Sequence, residues 1–308
     1  MMTDVIQTAD LTKHYGKVKA AEAVDLQIRQ GEIYGFLGLN GAGKTTTIRM
    51  LLGMIRPTRG KVYLMGKKMS PGNLDLWNKV GHLVEIPYSY PELTVQENLE
   101  IFCRLRDWKN KDLLTEIVEK LHLVPYRNVK AKNLSLGNAQ RLGIARAMVH
   151  RPDLLILDEP ANGLDPSGIV QIRELLLDLA GNHGVTIFIS SHILGEISRL
   201  ATRIGIIHEG HMIRESEADE LKNARHRAIH LNTLDNKQAF ELLAQQGYFP
   251  GSMPDGSLEL TGEPAIQHPE LVSALLASRG LPPVKIVLEE EDLEHYFFRI
   301  IQTNSISS

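Results

Sequence analysis

The sequence predicts an α/β fold built on a parallel sheet buried on both faces, and three observations predict it. Short apolar runs of strand length recur at Ile33–Leu37, Leu154–Leu157, Thr186–Ile189 and Ile204–Ile207, as strands covered on both sides require. Helix-period patterns alternate with them; in Ile169–Ala180 the residues Ile172, Leu175, Leu176 and Leu179 make one apolar stripe. The polar residues gather where the strands end: Gly38 onward, Asp158-Glu159, and Ser190-Ser191-His192. In an open parallel sheet that edge is where ligands bind.

The first run leads into Gly38-Leu39-Asn40-Gly41-Ala42-Gly43-Lys44-Thr45-Thr46, and an apolar-periodic stretch, Ile48–Leu52, follows. Strand, Gly-rich loop and helix in that order, with Gly38, Gly43, Lys44 and Thr45 at G-x-x-x-x-G-K-[ST] spacing, form the phosphate-binding P-loop pattern. Backbone N–H groups must converge on the phosphates, so the loop needs glycines that accept unusual φ. The helix opening near Gly43 adds its positive end. Lys44 is then the charge for the β/γ-phosphates and the Thr45 hydroxyl a ligand for Mg²⁺. The run implies a nucleoside triphosphate; a Gly-rich turn with an incidental lysine would not need this spacing or these flanks.

From about Pro91 to Val149 the alternation gives way to helix. Leu113, Leu114, Ile117, Val118 and Leu121 form an amphipathic stripe, read as subdomain core. Cys103, the one cysteine, lies in an apolar-periodic stretch as a small core residue and cannot form an internal disulfide. Asn133–Arg141 places Ser135 and Gly137 ahead of a helical stretch, Gln140–Val149. That is a second helix N-terminus open to an anion, or a plain Ser cap. Leu154–Leu157 then ends in Asp158-Glu159, two acids at a strand tip that can divide the work. Asp158 holds Mg²⁺ and Glu159 polarises or deprotonates the attacking water. His192 ends the next buried run beside the expected phosphate. His208 and His211 flank Glu209-Gly210, a hairpin turn, with no metal-ligand spacing.

The character changes near His226. Arg227–Leu231, Ser257–Leu260 and Val284–Leu288 read as strands, and Lys237–Gln246, Pro269–Ser278 and Asp292–Ile301 as helices. Residues 1–222 therefore form one domain with a helical subdomain at about 91–149, and 226–308 a small α+β accessory domain of ferredoxin-like kind. Glu289–Asp292 is read as four acids opening a helix at its positive end.

Composition is that of an ordinary globular chain: 308 residues, net charge −3, 43% hydrophobic. Lys and Arg (34) are outnumbered by Asp and Glu (37) with no basic stretch, which argues against nucleic acid. No signal peptide and no run of membrane-spanning length is read, so membrane work requires a spanning partner on another chain.

In combination, the P-loop, Leu-Ser-x-Gly, Leu-Asp-Glu-Pro, Gly-Leu-Asp-Pro and Ser-Ser-His, in this order over about Ile6–Leu221, resemble the nucleotide-binding subunit of an ATP-binding cassette (ABC) transporter. The resemblance implies a P-loop NTPase fold of ABC type and a transport-coupled ATPase using ATP and Mg²⁺. Tyr15 matches the aromatic that stacks on adenine. Gly38, Asn40, Gly41, Ala42, Gly43, Lys44, Thr45 and Thr46 match Walker A. Ser135, Gly137 and Asn138 fall in the signature that reaches the nucleotide of the opposite protomer. Asp158 and Glu159 match Walker B, Asp165 the D-loop and His192 the switch histidine. It further implies a head-to-tail homodimer closing over two MgATP, at the cytoplasmic face of the membrane, coupled to a permease.

Two positions depart from that pattern. Glu85, in Val84-Glu85-Ile86-Pro87, stands where most members have glutamine; it reads as a catalytic and Mg²⁺-ligating carboxylate or as a solvated surface acid. Leu136 and Asn138 replace the usual signature Gly and Gln. Both departures, with Asn162–Pro166 and the C-terminal domain, are similar to bacitracin-type and lantibiotic-type export and immunity ATPases. The alternative is a soluble ABC-type ATPase acting on nucleic acid or in translation.

Overall fold

The computed structural model describes residues 4–70, 73–85, 88–106, 111–223 and 226–305. The chain divides into two compact units, Met1–Leu221 and Lys222–Ser308. The first opens with β1 (Asp4–Tyr15), β2 (Val18–Val24), β3 (Gln27–Arg29) and β4 (Ile33–Leu37), then α1 (Lys44–Leu51), β5 (Arg59–Leu64) and β6 (Lys67–Lys68). After α2 (Leu74–Trp77) and β7 (Val80–Leu83) comes a helical stretch, α3 (Val95–Leu105), α4 (Lys111–Lys120) and α5 (Leu136–Met148). The unit closes with β8 (Leu154–Asp158), α6 (Pro166–His183), β9 (Thr186–Ser191), α7 (Leu194–Ile197), β10 (Arg203–His208) and β11 (His211–Glu217), and α8 (Ala218–Asn223) follows.

The four buried runs are β4, β8, β9 and β10 of a six-stranded sheet ordered β11-β10-β4-β9-β8-β7, parallel except for the β11 edge. Every residue of β4, β8 and β9 is buried, which is why these strands read as continuous apolar runs. Parallel register brings Leu37 beside Ser191 and Asp158 beside Ser190. The three strand ends that carry polar residues therefore meet at one edge. The β10–β11 connection is the two-residue turn expected at Glu209-Gly210, both at positive φ (47° and 82°), as a type I′ hairpin needs.

A second, antiparallel sheet was not anticipated. Its order is β2-β1-β5-β6, with β3 also on β1. β1 mixes buried and exposed residues irregularly and carries Asp4, Asp10 and Lys13, and its pairings to β2, β3 and β5 each shift register. A half-buried strand with bulges offers neither a continuous apolar run nor clean period-2 alternation. One core joins the two sheets through α1: Ile6, Leu11 and Ile28 meet Phe36, Ile156 and Phe188 around Ile48 and Leu51. Each such side chain contributes about 1.5–3 kcal/mol by burial.

In the helical stretch, α3 begins with a Thr94–Glu97 capping box. α5 starts at Leu136 rather than at Gln140, because the Ser135 hydroxyl caps it by accepting from Asn138 N. Leu136, Gly137 and Asn138 are thus its first turn.

The second unit contains β12 (Arg227–Thr233), α9 (Asn236–Gln245), β13 (Pro250–Ser252), β14 (Leu258–Leu260), α10 (Glu263–Gln267), α11 (Pro269–Ser278), β15 (Pro283–Glu290) and α12 (Leu293–Ser305). Its antiparallel sheet is ordered β13-β14-β12-β15, and up to β15 the elements follow a split βαβ course. Ile229, Leu231, Ala239, Leu243, Leu258, Leu260, Val272 and Leu276 form its own core. The acidic run does not open a helix as one block. Glu289 and Glu290 complete β15 opposite Ala228 and Arg227, and Asp292 caps α12 by accepting from Glu294 N and His295 N. Among the described residues no helix is long and apolar enough to cross a membrane.

Candidate functional site

The loop between β4 and α1 is shaped by its backbone. Gly41 and Gly43 have φ of 80° and 108°, and a Cβ on Gly43 would overlap Ala20 O. Only glycine meets both demands at position 43. The loop is also pinned from outside: Gly38 N donates to Ser191 O at 3.3 Å and Gly210 N to Ala42 O at 3.0 Å. Asn40 and Gly41 are exposed at its tip, Ala42 is buried and Thr46 half-buried on α1.

Lys44 is almost wholly buried at 6% exposure. Its Nζ donates to Gly38 O at 2.7 Å and Leu39 O at 3.2 Å, and lies 3.2 Å from Glu159 Oε1. The Thr45 hydroxyl donates to Asp158 Oδ2 at 2.8 Å, while Ser190 Oγ donates to Asp158 Oδ1 at 2.6 Å. Asp158 is fixed on both oxygens at the end of β8. Glu159 follows in the left-handed region, φ 49°, held by its N–H donating to Ser190 Oγ and Ser190 O at 3.0 and 3.2 Å. Gln140 Nε2, from α5, donates to Glu159 O at 3.2 Å. That turn aims the carboxylate at His192, whose Nδ1 is 2.9 Å from Oε2. Glu159 Oε1 is buried and receives no aligned hydrogen bond, only the Lys44 charge.

The arrangement has a clear chemical capacity. A lysine, a hydroxyl bonded to a carboxylate, a second carboxylate and an imidazole converge at the amide-lined N-terminus of α1. Thr45 and Asp158 supply the hard oxygen ligands that suit Mg²⁺. Glu159 Oε1 is held only by the Lys44 charge, so movement of Lys44 would open this oxygen to a water's proton.

The remaining predicted residues lie apart from this cluster. Glu85 (φ 55°) is half-exposed, and its carboxylate pairs with Arg49 Nη2 of α1 at 2.6 Å; no hydrogen bond or ion pair joins it to Thr45 or Asp158. Its neighbours Ile86 and Pro87 lie outside the described residues. Tyr15 ends β1 with 48% exposure and Lys13 Nζ over its ring at 4.9 Å. Ser135, Gly137 and Asn138 share an open concavity with Gly163 and Asp165. Gly137 is close-fitted, since a Cβ there would stand 3.0 Å from Gly163 O. Asp165 caps α6, accepting from Ser167 Oγ at 2.7 Å and Gly168 N at 3.1 Å; these bonds, the serine's first, hold its carboxyl below the usual range.

Sequence reasoning gave no role to Ser190, Gln140 or Arg49. Ser190 was visible as a polar residue at a buried strand's end. Gln140 and Arg49 carry no local signal, since each acts through a neighbour distant in sequence.

The ABC transporter family model matches residues 21–162. The chain is 40% identical to the bacitracin transport ATP-binding protein BcrA of Bacillus licheniformis, over 99% of this chain and 100% of that one. It is 37% identical to the lantibiotic transport ATP-binding protein SrtF of Streptococcus pyogenes, over 71% and 93%. Among solved structures it resembles a dimeric bacterial ABC transporter cassette (TM-score 0.65, 27% identity, 69% of this chain and 98% of that one). It also resembles a dimeric post-hydrolysis cassette bound to ADP and Pi (TM-score 0.64, 26% identity, 69% and 98%).

Proposed function

The chain belongs to the ATP-binding subunits of ABC transporters, ATPases coupled to transport, and on that footing we propose that it drives an exporter of peptide antibiotics. Its permease is a separate chain, and the subunit works at the cytoplasmic face of the membrane. The observation that carries the reading is the convergence of Lys44, Thr45, Asp158, Glu159 and His192 at one sheet edge. Similarity to a bacitracin transport protein over the whole chain supports the cargo class.

In this mechanism the loop amides and Lys44 hold the β/γ-phosphates, with Tyr15 offering its exposed ring to the base. Thr45 and Asp158 would hold Mg²⁺, which would supply a charge to offset that of the phosphates. When triphosphate enters, Lys44 exchanges Glu159 for phosphate oxygens. Glu159 then takes the proton of the attacking water, and His192 contacts the γ-phosphate. Ser135 and Gly137 of a second copy complete each site, so closure depends on the bound triphosphate and reverses after hydrolysis.

The test is resistance of host cells to a panel of peptide antibiotics, with and without the cognate permease. Resistance that needs the permease and Glu159 is the expected result. ATPase activity with no resistance to any panel member would remove the cargo class.

A further inference from the structure

The two edges of the C-terminal sheet are built differently. β13 is only Pro250–Ser252, three residues that open on a proline and include a glycine, the usual way to blunt an edge. β15 at the other edge runs eight residues, pairs with β12 alone among the described strands, and leaves Val284 70%, Val287 38% and Leu288 43% exposed. A long apolar edge strand presents a row of unpaired N–H and C=O groups to any strand that can match it.

The sequence of β15 matches itself. Antiparallel pairing of two copies about a two-fold axis at Val287 sets Lys285 of each opposite Glu289 of the other. Both residues are exposed, and they lie with Val287 on the face that also carries Ala228 and His230. On the opposite face the same register sets Ile286 against Leu288. Two ion pairs and an apolar centre arise at once, and the contact closes because it is isologous. An edge lysine commonly blocks pairing; here its charge is answered at the mirror position, so it selects a register instead. Glu289 also pairs with His230 Nε2 of its own chain at 3.7 Å, a residue of β12 on the inner side of β15.

We propose that β15 is a homodimerisation edge that joins two C-terminal sheets, independently of nucleotide, into one eight-stranded sheet with Lys285 paired to Glu289 across the axis. Sedimentation of the full chain without nucleotide tests it. The expected result is a dimer whose Kd rises at least about tenfold in Lys285→Glu, because two attractions become repulsions, and returns to within about threefold in Lys285→Glu/Glu289→Lys. The dimer persists in Lys44→Ala, which separates it from ATP-driven closure. Cys103 is buried, so introduced cysteines report the register. Val287→Cys crosslinks under oxidation, whereas Val284→Cys, about 20 Å from its mate in this pairing, does not. A monomeric chain, an unaffected Lys285→Glu variant, a double variant that stays monomeric, or crosslinking at position 284 in place of 287 overturns the proposal.

Discussion

Lys44 Nζ and Glu159 Oε1 form an ion pair at 3.2 Å. Lys44→Ala is expected to weaken ATP affinity at least about tenfold, since a charged hydrogen-bond donor to phosphate is lost; equilibrium binding of a fluorescent ATP analogue measures it. Glu159→Gln keeps the acceptor geometry and loses the base. Turnover is expected to fall by about 10²–10⁴ while an ATP-bound dimer accumulates in gel filtration, and undiminished phosphate release would remove the assignment. For Glu85→Gln, a half-exposed pair with Arg49 is worth about 0–1 kcal/mol, so the melting temperature barely moves while permease-dependent resistance falls. Wild-type resistance in that variant would leave Glu85 a surface acid. The acids at the end of β8 were legible because two carboxylates closing a buried apolar strand are costly without a task. Arg49 was not, because its partner lies 36 residues away in sequence and nothing in the local helical pattern marks it.

Among the elements, β7 and α5 are fitted backbone to backbone. A Cβ on Gly81 would overlap Ala147 O, so Gly81→Ala must push α5 off the sheet. The expected cost is about 2–4 kcal/mol, read by urea denaturation, together with a lower ATPase rate. The same junction holds two imidazoles, His82 in β7 and His150, which bonds Val80 O. Burial, aided by the Arg106 charge, lowers both pKa values from 6.5 to about 4. Folded, they stay neutral down to about pH 4; unfolded, they protonate near 6.5. The unfolded chain therefore binds more protons between those values, and stability falls as pH drops through that window. Replacing both with glutamine should flatten the decline of melting temperature from pH 6.5 to 4. Strands buried on both faces were readable in advance, whereas the antiparallel N-terminal sheet was not. Its pattern depends on which side of β1 meets the core and on bulges that shift the register midway, and neither is written in local composition.

For the whole molecule, charge and architecture point the same way. A net charge of −3 gives a polyanion little to hold, so DNA, RNA and heparin are expected to leave the ATPase rate unchanged; stimulation by any of them would revive the nucleic-acid alternative. The sequence changes character near His226, where apolar runs buried on both faces give way to strands such as β15 that are largely exposed. The use of the second unit's edge was not legible there, since pairing of β15 with β12 is a property of the fold. Glu159 sits at a left-handed turn, φ 49°. Holding a residue with a side chain there costs about 1–2 kcal/mol that glycine avoids and asparagine reduces. A library of position-159 variants sorted only for survival of heating would therefore enrich glycine and asparagine. Sorted for ATP turnover, the same library would return glutamate.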